Sequence, residues 1–338
     1  MQFHEKRRQQ FLNETAFEKT TTFFITTAQA EFSRELGDPS NDALGRSLVS
    51  AAIADYAITN YLLSYTAGES LDVLRENLTE VIKVHEQSTK YVREYEHDSA
   101  FPPLRFAEID DYERAMQLIG LCYLLHRRDL LPRLAAMLDG AFAGKDTLYE
   151  DLFAYELKDR YEVDEWYHDA PYRNIINSFY RDTAEESIRD IEAYLKAWYK
   201  SMKKAPWHDS HLSMNAEGCG AYFGYWAIEA AAAVYLLELD DRSFRDHIVY
   251  PKDLLDYARK LDKQAPLAPS APEKLLVEGG NPCPQTGYWF TPAIPDSRRH
   301  FEQGAVMPVS ADSQYGATIW QWGTEYNSRL CNSMKLKP

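Results

Sequence analysis

Cysteines and long apolar runs are both scarce in this sequence, and each shortage excludes a class of protein. The 338 residues include only four cysteines, which are widely scattered and form no Cys-x-x-Cys pair. This usage favours a reducing compartment over a disulfide framework. The first residues lack the apolar run of a signal peptide, and no later segment is long enough to span a membrane. We therefore expect a cytoplasmic protein that does not contact a membrane.

Motifs of the common enzyme classes are also absent. The sequence contains no G-x-G-x-x-G, Walker A, G-x-S-x-G or H-E-x-x-H motif. The set His208, His211 and Cys219 suggests zinc, but it follows Pro206 in a predicted loop and lacks a nearby fourth ligand. No cysteine lies beside a His/Asn signature, so a cysteine nucleophile is not expected. We expect no metal, no cofactor and no catalytic residue.

Acidic residues, in contrast, are in excess. The formal net charge is −15 at pH 7, and residues 281–338 hold five basic and four acidic residues, so the excess lies in the first 280 residues. A field of this sign repels nucleic acid and steers basic proteins toward the chain. It predicts a basic protein partner and no nucleic-acid partner. Solubility alone would account for the same charge.

The acidic residues are densest in residues 150–169, which hold eight acidic and two basic residues with aromatic side chains between them. Aromatic anchors supply most of the contact energy at an interface, while charge sets orientation and on-rate. An amphipathic helix with a solvated face would show the same pattern. The predicted partner-binding residues are Glu150, Asp151, Tyr155, Asp159, Glu162, Asp164, Glu165, Trp166, Tyr167 and Asp169. The acids between Asp182 and Glu192 form a second candidate surface.

Apolar residues three and four positions apart predict a mainly α protein. The predicted helices cover about residues 3–36, 40–68, 70–97, 112–126, 130–138 and 183–204. Short aromatic segments at 286–292 and 315–322, bounded by Gly or Pro, predict strands of a small β unit. We expect an irregular multi-helix array or bundle with this unit at its C-terminal end. The expected regions are an N-terminal helical region at 1–205, a helical corner packed on it at 206–262, and a Pro-rich strap with the aromatic β unit at 263–338.

Residues 222–260 predict a helix-turn-helix corner. The residues on one apolar helical face are Tyr222, Trp226, Ala230, Ala233 and Leu237. Pro251 can start the second helix, since its missing N–H does no harm at the first helical position. The alanines at 230–233 let another helix approach closely.

Polar residues of this corner have a structural and a catalytic interpretation. Burying Glu229 without a partner costs several kcal/mol, so the structural interpretation requires a cation, from Arg242, Arg245 or His247. The bracing residues are then Tyr225, Trp226, Glu229, Asp240, Asp241, Arg245, His247, Pro251, Lys252 and Asp253. The catalytic interpretation treats Glu229 and His247 as an acid/base pair. The structural interpretation predicts that Glu229→Gln lowers stability, and the catalytic one predicts that it abolishes only activity.

Two segments resemble known immunity proteins. The first is Gly224-Tyr225-Trp226-Ala227-Ile228-Glu229-Ala230-Ala231-Ala232 with Asp240-Asp241, Phe244-Arg245-Asp246-His247 and Tyr250-Pro251-Lys252-Asp253-Leu254. It resembles the helical PoNi-like immunity proteins of bacterial polymorphic toxin systems, which include type VI secretion effectors. The second segment, which comprises 282–292, 297–299, 303–304, 307–308 and 315–322, is similar to the aromatic C-terminal part of a related immunity family.

The resemblance implies a protein without catalytic activity that binds a cognate secreted antibacterial toxin and occludes its active site or substrate groove. The toxin would be basic, and DNases are among the partners of PoNi-like proteins. Two alternatives stay open. One is an enzyme, either a helical hydrolase or one that reverses the toxin's modification, using Glu229 and His247. The other is a non-catalytic scaffold or homodimer.

Overall fold

The computed structural model describes residues 2–213, 220–264, 276–291, 297, 299–310 and 318–322. The chain divides into two compact units, Met1–Gln264 and Ala265–Pro338. Within the described residues the first unit is helical and the second holds a small antiparallel sheet. The prediction of a mainly α protein with a small C-terminal β unit is therefore confirmed.

The helices of the first unit are joined by connections of very different length, of which the one from α8 to α9 is a long loop. In the part of this unit that the structure describes, the α-helices are α1 (Phe3–Lys6), α2 (Glu14–Phe23), α3 (Ser33–Leu36), α4 (Ala43–Ala67), α5 (Leu71–Glu96), α6 (Ile109–Leu124), α7 (Leu131–Phe142), α8 (Thr147–Ala154), α9 (Arg173–Ser178), α10 (Ala184–Ser201), α11 (Ile228–Leu236) and α12 (Lys252–Gln264). A π-helix at Phe24–Phe32 joins α2 to α3, and 3-10 turns lie at Arg128–Leu130, Met202–Lys204 and Ser210–Leu212.

Local capping sets the ends of the long helices α4 and α5, as the sequence predicts. The Asp42 side chain accepts a hydrogen bond from Gly45 N at 2.8 Å, and Gly68 ends α4 at a φ of 94°. Ser70 Oγ caps α5 in the same way. A capping side chain satisfies a backbone N–H that has no partner within the helix, and a left-handed glycine reverses the chain cheaply. The two helices therefore form an antiparallel pair.

The continuous helix predicted over about 3–36 is wrong, because long-range contacts hold residues 7–13 out of helical conformation. Gln9 Nε2 donates to Tyr225 O at 2.7 Å and to Ile248 O at 2.8 Å, and its Oε1 accepts from Tyr225 N at 2.9 Å. Arg8 pairs with Asp253. These partners lie more than 200 positions along the chain, so a local periodicity cannot reveal them.

The predicted corner begins its helix later than its apolar spacing indicates. Residues 222–227 are not helical, and Gly224 has a φ of 115°. A Cβ at Gly224 would lie 2.2 Å from Thr66 Oγ1, so a side chain does not fit there. Helix α11 is buried at every position from Ile228 to Val234 rather than on one face. As predicted, its small residues allow a close neighbour, since a Cβ on Gly120 of α6 would lie 3.3 Å from Ala232 Cβ.

The described residues of the second unit form four strands, β1 (Leu276–Glu278), β2 (Gly287–Phe290), β3 (Arg299–Phe301) and β4 (Ile319–Trp322). Their order in the sheet is β1-β4-β2-β3, and each paired neighbour is antiparallel. Both predicted strand segments therefore contain a strand, although residues 292 and 315–317 lie outside the described residues. Cys283, Trp289, Met307 and Trp320 form the buried core of this unit.

Candidate functional site

The acidic segment at 150–169 is divided between helix α8 and the loop that leads from α8 to α9. Arg160, whose side chain is only 9% exposed, anchors this loop. Its Nε donates to Glu150 Oε2 at 2.7 Å, and its Nη1 donates to Asp139 Oδ2 at 2.9 Å. Glu150 also accepts from the backbone N–H of Gly144 at 2.8 Å and of Tyr161 at 3.1 Å. A guanidinium placed between two carboxylates has a fixed planar geometry, so the loop leaves α8 in one direction.

The first turn of α8 holds the far end of the same loop. Asp146 caps α8 through Tyr149 N at 2.9 Å and accepts from Tyr167 N at 3.1 Å. Thr147 Oγ1 donates to the backbone carbonyls of Val163 at 2.8 Å and Glu165 at 2.9 Å. Side chains from two turns of one helix therefore fix both halves of the loop.

These contacts correct the prediction for Glu150. It is 1% exposed, and its carboxylate is satisfied within the protein, so it cannot form part of an accessible surface. Trp166 is partly buried as well, since its ring lies 3.9 Å beneath the guanidinium of Arg173 and its Nε1 donates to Asp169 at 3.3 Å. These residues shape the loop from inside.

The exposed side of the loop combines tyrosine rings with carboxylates. Four tyrosines are between 38% and 62% exposed, which are Tyr155, Tyr161, Tyr167 and Tyr180. The exposed acids beside them in the loop are Glu156, Asp159, Glu162, Asp164, Glu165 and Asp169. We call these ten residues the tyrosine–carboxylate surface. Tyr180 was not predicted, because it lies after α9 and reaches Asp151 only in the folded chain, donating to its Oδ1 at 2.8 Å.

Burial and neighbouring carboxylates raise the pKa of two tyrosines of the tyrosine–carboxylate surface, Tyr155 and Tyr180. Burial and the neighbouring Asp151 raise the pKa of Tyr155. Burial, the hydrogen bond to Asp151 and the charges of Asp164 and Glu162 raise the pKa of Tyr180. Burial raises the pKa of Asp151 itself to about 6. The rings therefore contribute apolar area and O–H donors, and the carboxylates contribute the charge.

Arginines in and around this surface are already paired with carboxylates of the protein. Arg160 is held by Glu150 and Asp139, and Arg173 Nη2 lies 2.8 Å from Asp169. Arg181 Nη2 donates to Asp190 at 3.2 Å. Apart from Lys158 and His168, the other charged residues of the loop are acidic.

Glu229, the central residue of the predicted corner, has no cation beside it. Its carboxylate is fully buried, and its Oε1 accepts hydrogen bonds from the Tyr194 hydroxyl and, at 3.2 Å, from Trp198 Nε1. Its Oε2 has no hydrogen-bond partner. In the described part of the chain no ion pair includes Glu229. The expected pairing with Arg242, Arg245 or His247 is therefore wrong.

The charged residues of the corner instead pair with one another. Arg245 and Arg259 both contact Asp241, at 2.8 Å and 2.9 Å. The other corner pairs are Arg242 with Asp240, Lys252 with Asp246, and Asp253 with Arg8 and Tyr65. Pro251 directly precedes α12, as its position predicts. Outside the corner, Asp55 pairs with Arg114 at 2.5 Å.

A second buried carboxyl, Glu113 on α6, interacts electrostatically with Glu229. Glu113 accepts from Trp207 Nε1 at 2.7 Å and Gln117 Nε2 at 2.8 Å, and Trp207 stacks on Trp198 with ring centroids 5.3 Å apart. Burial raises the pKa of Glu229 to about 7. Burial and the Glu229 charge raise the pKa of Glu113 well above its ordinary value. Burial therefore favours the protonated form of both carboxyls.

The proposed acid/base pair is not assembled. In the described residues no hydrogen bond or ion pair joins Glu229 to His247, and Glu229 is closed off from solvent. His247 is partly buried, and its pKa is lowered by burial and by Lys196.

The predicted metal candidates have other contacts. His208 Nδ1 lies 3.3 Å from Asp209, and His211 Nδ1 lies 2.7 Å from the Tyr225 hydroxyl. Cys219 lies outside the described residues. Across the residues that the structure covers, no three His, Cys, Asp or Glu side chains are grouped to hold a metal ion. Over the same residues, no helix combines the length and the apolar character that crossing a membrane requires.

Comparison with known families places this chain beside proteins that protect against toxins. Residues 144–254 match the family described as PoNe immunity proteins (PoNi), C-terminal. This segment is PoNi-like, which confirms the first resemblance, and the match reaches upstream to include α8 and the whole loop with its tyrosine–carboxylate surface. The resemblance of the aromatic tail stays a prediction.

A solved structure shares the fold. "The Crystal Structure of Protein PA2201 from Pseudomonas aeruginosa" is similar to this chain with a TM-score of 0.60 and 22% sequence identity. The similarity covers 76% of this chain and 92% of that chain. No curated protein matches the sequence.

Proposed function

We propose that this chain is an immunity protein that neutralises a PoNe-type toxin by binding it, without chemistry of its own. The observation that carries the proposal is the PoNi match over residues 144–254. That segment contains both the anchored loop and most of the buried corner. A single stretch of sequence thus supplies a rigid brace and an exposed acidic surface beside it.

The proposed contact is the tyrosine–carboxylate surface. Exposed tyrosines give large contact area with few rotatable bonds, and an acidic rim steers a basic partner into place. Silencing a lethal protein requires a nanomolar or lower Kd, which corresponds to about −12 kcal/mol or stronger. A few aromatic anchors surrounded by charge can supply that energy.

The proposal includes a cytoplasmic site of action and a toxin delivered between bacteria, as in type VI secretion. Both parts rest on the resemblance to PoNi-like proteins. Binding is favoured over catalysis because Glu229, one half of the acid/base pair considered above, is closed off from solvent. In the described residues no hydrogen bond or ion pair joins it to His247. The toxin's active site or substrate groove is the proposed place of contact.

Co-expression tests this function. The toxin encoded beside this gene is expressed in a susceptible host with and without the chain, and we expect growth to be restored and the two proteins to purify as a complex. Expression of a toxin of another family with the same chain is the control and should remain lethal. Absence of both rescue and complex would refute the proposal.

A further inference from the structure

A cavity of about 450 Å³ is lined by residues of α4, α5, the loop that follows α5, and the first turns of α6. It lies outside residues 144–254, the segment that matches the PoNi family. We propose that this cavity binds an uncharged, elongated small molecule that carries a hydroxyl or N–H group at one end of an apolar body. Ligand sites of this size are mostly apolar, with a few polar groups that fix the orientation of the ligand.

Small side chains on two neighbouring helices open the cavity. Ser47 and Ala51 line it from α4, and Ser88 lines it from α5. Larger side chains at these positions would fill the space, because packed helices lie only about 8–10 Å apart. Residues 101–104 form another wall, in which Pro102 and Pro103 have a fixed φ. That wall is therefore stiff before any ligand binds.

One end of the cavity is polar and buried. His85 and Ser88 are both 3% exposed, and Ser47 is 7% exposed. His85 Nδ1 lies 2.8 Å from Val81 O, and because a carbonyl can only accept, Nδ1 carries the proton and Nε2 is an acceptor. In the part of the chain that the structure describes, neither Nε2 nor the two serine hydroxyls make a hydrogen bond. These groups suit a ligand that donates to Nε2.

Charged residues around the polar end are paired within the protein, which sets the charge of the ligand. Arg114 lies 2.5 Å from Asp55, and Asp111 accepts from the backbone N–H of Arg105 at 2.9 Å. Burial lowers the pKa of His85, so its ring is neutral at pH 7. A charged head group would be buried beside charges that already compensate one another. An uncharged head group avoids that cost.

The other end of the cavity is apolar and open to solvent. Leu44, Leu48 and Tyr95 line it, and all three are exposed. Tyr95 and His85 lie ten positions apart on α5, which separates them by about 15 Å along the helix. An elongated molecule can therefore place its polar group beside His85 while its apolar body covers the exposed side chains.

Two probes that differ in one hydrogen-bond donor test the site. The first, para-pentylphenol, is uncharged at pH 7 and has an O–H group, whereas para-pentylanisole has the same apolar body and a methyl ether. Each is titrated into the whole chain with isotope-labelled histidine, and the ring nitrogens are followed by NMR. We expect saturable binding of the phenol with a shift of the His85 Nε2 resonance. The anisole should bind at least about fivefold more weakly, since it cannot donate to Nε2.

Either of two results with these probes would overturn the proposal. One is the absence of saturable binding by the phenol, and the other is equal affinity of the phenol and the anisole. The toxin takes no part in this experiment, so its result is independent of the proposed function.

Matched bulky variants locate the site. Ala51→Leu adds bulk at an exposed position of α4 that lines the cavity, and the control, Ala193→Leu, adds the same bulk at an exposed position of α10. We expect Ala51→Leu to weaken phenol binding about tenfold and the control to weaken it less than about twofold. Equal phenol affinity of the two variants would place the ligand elsewhere and overturn the proposal. The probe pair is compared on the unchanged chain, so it decides the proposal even where Ala51→Leu loses stability.

Discussion

The buried carboxyls of Glu113 and Glu229 show how an acidic residue can be buried without a counter-charge. Trp198, Trp207 and Tyr194 donate to the two carboxyls, so their oxygens are largely satisfied by neutral groups. With burial raising the pKa of Glu229 to about 7, the folded protein holds a proton that the unfolded chain would release.

This shift makes stability depend on pH. Between the ordinary pKa of 4.5 and the folded value of about 7, the folded state binds more protons than the unfolded state, so stability falls as pH rises through this window. Full ionisation costs on the order of 3 kcal/mol for a shift of this size. Burial shifts the pKa of Asp151 in the same direction.

Replacing Glu229 with glutamine should remove the part of this pH dependence that Glu229 contributes, while Glu113 and Asp151 keep theirs. Glutamine keeps the Oε1 acceptor for Tyr194 and Trp198, and its NH₂ takes the place of the unpaired proton of the neutral acid. We expect Glu229→Gln to match the native protein near pH 4.5 and to be about 1–3 kcal/mol more stable at pH 8, because it cannot ionise. Urea unfolding across this range measures both curves.

Asp240→Asn is the control for that comparison. Asp240 is exposed and its pKa is lowered by Arg242, so it does not titrate between pH 5 and 8, and this variant should keep the native dependence. A Glu229→Gln protein less stable than the native one at pH 8 would show that the carboxylate has a compensating partner. The sequence led us to expect a cation beside Glu229, and therefore a loss of stability in the Glu229→Gln variant, which is the opposite of the result expected here. Glu113 lies on a distant helix, and the spacing of residues around Glu229 cannot indicate it.

At the scale of elements, the loop from α8 to α9 depends on Arg160. Replacing it with methionine keeps the side-chain length but leaves Glu150 buried without its cation, since that carboxylate is 1% exposed. Breaking one side of a buried pair costs about 3–5 kcal/mol. We expect Arg160→Met to lose stability in urea on that scale, and the backbone N–H groups of Tyr161 and Tyr167 to exchange hydrogen faster.

Arg242→Met gives the matched control, because Arg242 is 87% exposed and pairs with Asp240 at the surface. Exposed pairs contribute about 0–1 kcal/mol, so this variant should unfold almost as the native protein does. Equal losses for the two variants would mean that Arg160 is not an anchor.

Helices with local signals could be predicted from sequence, and those shaped by distant contacts could not. Asp42, Gly68 and Ser70 mark the ends of α4 and α5 through neighbours in the chain. Gln9 is held by Tyr225 and by residues beyond it, so the predicted first helix failed. The acidic loop was recognised from its composition, but the inward direction of Glu150 follows from Arg160 and Asp139, whose meeting only the folded chain reveals.

At the scale of the whole molecule, each unit has its own hydrophobic core, and among the described residues the two cores have no member in common. The core of the second unit consists of Cys283, Trp289, Met307 and Trp320, whereas that of the first unit extends over many helices. Sequence composition predicted a change from helices to a Pro-rich strap and an aromatic β unit near residue 263, and the units divide at Gln264. The boundary expected between 205 and 206 and the family of the aromatic tail stay predictions.

Separate cores should unfold in separate steps. Met307 is fully buried in the second unit and Met202 is fully buried in the first, so each reports on one core. Truncating a buried methionine to alanine costs about 2–5 kcal/mol. We expect scanning calorimetry to show two transitions, with Met307→Ala lowering only one of them and Met202→Ala only the other. A single transition lowered by both variants would contradict this expectation.

The contacts of Arg8 and Gln9 also set an order of events during synthesis. Arg8 is joined to Asp253 across 245 positions and Gln9 to Tyr222 across 213. Ribosomes add about 5–20 residues per second, so the partners of these side chains are translated on the order of tens of seconds later. The segment around Gln9 can take its native place only after the corner has been translated. A newly made copy therefore completes this part of its fold only after residue 253 has been added.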